Sequence, residues 1–174
     1  TIFYSKEFMD PRNYRAKVKT PLEFVASAIR VTNGQLTQPE KAAQTLNLMG
    51  EALYLCEPPT GYPDTAAAWV YSSALLDRLN FGLILLSNRP NSPAEVNLLK
   101  LDGELKSGND GKKILNKLFN VFLKDQVSDN TRKVLIKKLN DPEVSHTLLD
   151  DKKKTYEAAQ LGALVLGSPD FQRR

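Results

Sequence analysis

The chain has 174 residues, a size for one domain, and 41% of them are apolar against 25% charged, so it can fold around its own core without a disulfide or a metal. One cysteine excludes an internal disulfide, and a net charge of +4 is too mild to argue for nucleic acid by itself. The opening Thr1-Ile2-Phe3-Tyr4 has neither the basic run nor the apolar stretch of an export signal, and no initiator Met precedes it. The sequence therefore reads as a processed or excised piece, and any targeting signal would lie upstream of it.

Thr1–Met9, with Phe3, Tyr4 and Phe8, reads as the tail of an earlier helix, stopped at Asp10-Pro11. Arg12 to Lys19 is basic and extended. Thr20-Pro21-Leu22-Glu23 predicts a helix start, with a capping threonine, a proline at the first helical position and a glutamate three residues on. Phe24, Val25, Ala28, Ile29 and Val31 keep a 3.6-residue period, Arg30 sits where a cation favours the helix end, and Asn33-Gly34 stops the run. A second helix runs from Pro39 to Met49 on Ala42, Ala43, Leu46 and Met49, and Gly50 ends it.

The loop Leu53 to Asp64 carries Pro58, Pro59 and Pro63. It leads into the most apolar stretch of the chain, Thr65–Leu86, where 16 of 22 residues are apolar or glycine. Asp64 is expected to cap one long helix there. Such a helix belongs in the middle of a bundle, and its small residues, Gly82 among them, let neighbours approach. Asp77, Arg78 and Asn80 inside the stretch argue against a membrane span, because charges at mid-bilayer cost several kcal/mol. In a core they need partners, for example Asp77 with Arg30.

Asn88–Pro93 reads as a linker, Ala94–Leu101 as a short helix, and Gly103–Gly111 as a flexible seam. A helix over Gly111–Lys124 buries Ile114, Leu115, Leu118, Phe119 and Phe122. The next, Asp129–Leu139, places Val134, Leu135, Ile136 and Leu139 inside. Asn140-Asp141-Pro142 breaks the chain. Lys152–Leu166 forms the last long helix on Tyr156, Ala159, Ala163 and Leu164, and Gly167-Ser168-Pro169 stops it and starts a final turn. No segment alternates long enough to predict a strand. The fold class is all-α, a single-domain bundle of about seven helices around a central apolar helix, 65–86.

Little in the chain carries chemistry. Cys56 and His146, the single residues of their kinds, lie 90 positions apart and form no metal-ligand spacing or nucleophile pair. No cofactor or metal is expected. Cys56 reads as a small buried hydrophobe and His146 as a surface or capping residue. The lysines between Lys112 and Lys154 are interleaved with aspartates and lack aromatic partners, which reads as a solvated face and not a nucleic-acid surface. Glu57 and Asp64 flank the Pro58–Pro63 loop as a carboxylate pair that an acid–base hydrolase would need. Tyr62 and Trp69 beside that stiff loop, with Asp64 and Arg30, form the candidate ligand site, a glycan being one ligand class.

Several stretches together resemble the C-terminal third of the bacterial family catalogued as domain of unknown function 1800. They are Tyr14–Val25 with Ala28-Ile29-Arg30, Met49–Tyr54, Pro58–Asp64 with Trp69, Leu79-Asn80-Phe81, and the ending Gly167–Arg174. Ser87–Lys154 carries little of the pattern. The resemblance implies a C-terminal fragment of an exported protein, periplasmic or extracellular, and supplies no catalytic residue. Three functions stay open: a non-enzymatic helical domain packing on the N-terminal part of its own protein or on a cell-envelope partner, a ligand- or glycan-binding domain using residues 58–69, and part of a hydrolase complete only in the full-length chain.

Overall fold

The structure is a computed structural model that describes residues 1–98, 101, 111–139 and 151–174, with the backbone alone over 151–157. Among the described residues it holds eight α-helices and one short ribbon: α1 (Pro21–Val31), β1 (Gln35–Leu36), α2 (Pro39–Leu48), α3 (Ala66–Trp69), α4 (Ser72–Leu86), β2 (Ala94–Glu95), α5 (Gly111–Leu123), α6 (Asp129–Leu139), α7 (Asp151–Leu166) and α8 (Pro169–Gln172). The class is all-α.

Helix α1 starts as its sequence dictates. Thr20 Oγ1 accepts from the Glu23 N–H at 3.4 Å, and Glu23 Oε2 accepts from the Thr20 N–H at 3.0 Å, so two of the helix's orphan donors are satisfied reciprocally. Helix α2 ends at Gly50, which adopts φ +89°; the Gly50 N–H bonds the Asn47 carbonyl and the Glu51 N–H reaches back to that of Leu46. This is a glycine-dependent Schellman stop, since other side chains adopt that φ only under strain.

The apolar stretch 65–86 is not one helix. It breaks at Val70 (φ −117°, ψ 73°) and the extended Tyr71 (φ −126°, ψ 160°), neither of them helical, leaving the four-residue α3 and the fifteen-residue α4. Asp64 does not cap it either: Thr65 holds the N-cap position without a side-chain bond, and the Asp64 carboxylate accepts from Lys17 Nζ instead. Two hydrogen bonds hold the break. The Trp69 indole donates to the Pro63 carbonyl at 2.9 Å, and the Tyr71 hydroxyl to that of Met49 at 3.4 Å.

Helix α4 packs on α1, α2 and, along most of its length, α7; α7 packs in turn on α5. At the α4–α7 crossing, a Cβ on Gly82 would lie 3.4 Å from Ala163 Cα, an ordinary contact distance, whereas one on Gly162 would meet Leu86 Cδ1 at 2.6 Å, so the close approach depends on Gly162. Phe24, Phe81, Leu85, Leu115, Phe119, Val165 and Phe171 join one hydrophobic core. Phe24 meets both Phe81 and Phe171 edge-on at centroid distances of 5.8 and 5.9 Å.

Other expectations need correction. Ala94-Glu95 is a strand, not a helix start: it pairs antiparallel with β1, Gln35 opposite Glu95 and Leu36 opposite Ala94. Thr1–Met9 forms a 3₁₀ turn at Ile2–Tyr4 and further turns, with Ile2, Phe3, Tyr4, Phe8 and Met9 exposed. In α6, Val134 is exposed while Thr131 and Leu135 are buried, because three consecutive apolar residues cannot share one helical face. Asp77 and Arg30 form no ion pair. Residues 103–110, 140–150 and the Tyr156 side chain, to which the flexible seam, His146 and one expected core contact belong, lie outside the described residues. Among the described residues, no helix is long and apolar enough to cross a membrane, and no group of three or more His, Cys, Asp or Glu could hold a metal.

Candidate functional site

The structure brings Tyr62 and Trp69 together, with ring centroids 6.1 Å apart at 59°. Their polar atoms face inward: the Tyr62 hydroxyl donates to the Ala52 carbonyl at 2.7 Å, and Trp69, buried, donates to Pro63. The first bond ties the two ends of the proline loop to each other, and the second ties Pro63 to the last residue of α3. Asp64 is exposed, and its bond to Lys17 holds the carboxylate below its usual range. Arg30 is exposed on the last turn of α1 and bonds none of the other three. Glu57 is exposed. Cys56 is half-buried, its thiol 3.7 Å from the Pro58 carbonyl.

The polar centre of the fold lies elsewhere, at Arg78. This side chain is 1% exposed, yet no carboxylate among the described residues bonds it, and Glu51 acts on it only through its charge. One terminal nitrogen donates to Gln172 Oε1 and the other to the Lys19 carbonyl at 2.8 Å; the guanidinium lies 5.2 Å from the centre of the Phe24 ring, and its Nε–H finds no acceptor. Burial lowers its pKa. Gln172 also donates to the Leu166 carbonyl at 3.0 Å. Around this centre the last residues pair with the basic N-terminal segment. The Lys17 and Lys19 N–H groups donate to the Arg174 and Gln172 carbonyls, the Arg174 N–H returns a bond to Lys17, and Val18 faces Arg173 as a β-bridge. Lys19 Nζ lies 3.8 Å above the Phe171 ring, and Arg174 pairs with Glu23 at 3.0 Å. Burial, with the Arg15 charge, lowers the Lys19 pKa to about 8. Asp170 fastens the same tail to α6, accepting from the Ser128 N–H at 3.1 Å and the Ser128 hydroxyl at 2.9 Å.

Beside this clasp, the break between α3 and α4 opens an apolar groove of about 680 Å³. Ala66, Ala67 and Val70 form one wall, Leu75, Leu76 and Leu79 the other, and Gly167, Pro169 and Gln172 close one side. Leu75 and Leu76 are 43% and 56% exposed, which is unusual for leucines of a central helix. Arg173 stands on the rim, exposed, and its guanidinium has no partner among the described residues. Nothing in the local sequence signals this groove, because it follows from the helix break, and the break follows from tertiary contacts.

No curated protein and no solved structure matches the chain significantly. A family model does, and its match takes in the N-terminal segment, the break, the span 87–154 and the clasped tail alike: over residues 1–173, the chain belongs to the family described as "Protein of unknown function (DUF1800)".

Proposed function

We propose that this chain is a non-catalytic helical packing domain of an exported bacterial protein. Its occupant is a peptide segment with an apolar face and an adjacent carboxylate, seated in the α3–α4 groove. The observation that carries this is the groove itself: apolar on both walls, bordered by Arg173, whose guanidinium no described residue pairs, and exposing two leucines to water. Charge complementarity selects a carboxylate for the rim, and the leucines select an apolar helix face. The segment comes from the N-terminal part of the same polypeptide or from a separate cell-envelope protein. Export, to the periplasm or beyond, is inferred from the family resemblance. A glycan reading of residues 58–69 has less support, since the Tyr62 hydroxyl and the Trp69 N–H already bond the loop.

A photoreactive phenylalanine analogue at position 76 of the full-length protein tests the proposal. The expected result is one mapped crosslink to a segment bearing apolar and acidic residues. An intramolecular link assigns it to the same polypeptide, and an intermolecular link to a separate protein. The link weakens in Arg173→Glu and returns when the partner's carboxylate is exchanged for lysine. Scattered or absent crosslinks, or links indifferent to Arg173→Glu, overturn the proposal.

A further inference from the structure

The β1–β2 ribbon and the turn after α4 enclose a second concavity, of about 730 Å³, within the range of small-ligand pockets. Its frame is fixed by hydrogen bonds. The Asn88 side chain clamps the backbone of Val96, accepting from its N–H at 2.8 Å and donating to its carbonyl at 2.6 Å. The Thr37 and Gln38 N–H groups both donate to the Pro93 carbonyl at 3.0 Å, and Ser92 Oγ bonds the Ala94 carbonyl at 2.6 Å. The floor is apolar, with Leu86, Ala94, Val96 and Leu98 buried.

The rim differs in kind from the α3–α4 groove. Gln35, Thr37, Gln38 and Arg89 line it, and their side chains bond none of the described residues. They supply donors and acceptors in close succession. Arg89 and Glu95 contribute one charge of each sign, so the lining has no net charge to select an ion. Free neutral amides and a hydroxyl over an apolar floor match a molecule with one C–H-rich face and an edge of vicinal hydroxyls. We infer that this concavity binds a neutral saccharide of one or two rings, with Gln35, Thr37, Gln38 and Arg89 reading its hydroxyls and Leu86, Val96 and Leu98 taking its apolar face.

Saturation-transfer NMR with maltose and with chitobiose, each run beside triglycine, tests the inference on the protein. At least one disaccharide receives saturation, and the amide signals of Thr37, Gln38 and Val96 shift on titration. The double variant Gln35→Leu/Thr37→Val lowers that affinity about tenfold, the loss of one to two hydrogen bonds, while Leu76→Glu leaves it unchanged. If the double variant unfolds, Arg89→Leu, exposed and outside the ribbon's hydrogen bonds, takes its place and produces a several-fold loss. No transfer to either sugar at about 10 mM, the weak end of measurable affinity, overturns the inference. So does binding unchanged by these substitutions, or transfer to triglycine alone. Retained maltose binding in Leu76→Glu separates this site from the α3–α4 groove, so the two proposals fail independently.

Discussion

Replacing Arg78 by alanine is the sharpest perturbation the fold offers. The side chain is buried with a full charge and only neutral acceptors, Gln172 Oε1 and the Lys19 carbonyl. Each hydrogen bond from a charged donor is worth about 1.5–3 kcal/mol. Against that stands the cost of keeping a cation out of water, several kcal/mol before compensation. Truncation removes both terms, but it strands the two acceptors and leaves a cavity where the guanidinium covered Phe24. The net expectation is a loss of about 3–5 kcal/mol, which at about 2–4 °C per kcal/mol for a chain of this size lowers Tm by about 6–20 °C. Denaturant titration measures the loss. A double-mutant cycle of Arg78→Met with Gln172→Leu isolates the pair, with an expected coupling of at least about 1 kcal/mol. Amide exchange at Lys19 and Arg174 should accelerate in Arg78→Ala, because the clasp loses its inner partner. A loss under about 1 kcal/mol together with zero coupling would refute the reasoning, since the arginine would then be a tolerated burden and not the tie that holds the tail.

Lys19 predicts a rise of stability with pH. Its folded pKa, about 8, lies below the ordinary lysine value of 10.5, so the unfolded chain holds the extra proton between them; this group's destabilising contribution is complete below pH 8 and is relieved as pH climbs toward 10.5. Melting temperatures of wild type and Lys19→Met at pH 7 and pH 10 should therefore converge as pH rises. Asp170 predicts the acid side. Burial raises its pKa, but bonds from the Thr131 and Ser128 side chains and the Ser128 backbone outweigh it, so the folded value lies below 3.8 and its stabilisation is lost as pH falls through that value. Asp170→Asn should destabilise by about 1–2 kcal/mol at pH 7, and the difference should vanish at acid pH.

Helices whose ends are written in short-range chemistry were legible in the sequence. Thr20-Pro21-Leu22-Glu23 prescribes both reciprocal bonds of a capping box, and Ser168-Pro169 restarts the chain as α8, with Ser168 Oγ accepting from the Phe171 N–H. The strong amphipathicity of Ile114–Phe122 fixes the buried face of α5. The break at Val70-Tyr71 was not legible. Trp69, Val70 and Tyr71 are only weakly unfavourable in a helix, and what decides their conformation is a carbonyl at Pro63 and another at Met49. The β-ribbon is two residues a side, too short for alternation to show. Arg78 announced that it needed a partner, and the sequence could not say that the partner was 94 residues away. Of the four proposed ligand residues, the pairing of Tyr62 with Trp69 was readable from their place around one loop. Asp64 engages Lys17, a residue to which no local pattern points.

The clasp has a consequence for how the protein is made. Synthesis runs from the N-terminus, so α1 and α4 are complete long before Gln172 exists. Until then Arg78 is a cation with one of its two acceptors missing, beside a core that still lacks Phe171. Until residues 171–174 have emerged, the nascent chain thus holds an unfinished centre. A chain cut after Phe171 lacks Gln172, Arg173 and Arg174, and with them the backbone bonds that Lys17 and Lys19 make to this segment. The presence of residues 172–174 is thereby written into the stability of this domain, and a proteolytic quality-control system could distinguish chains that carry them from chains that lack them by that difference alone.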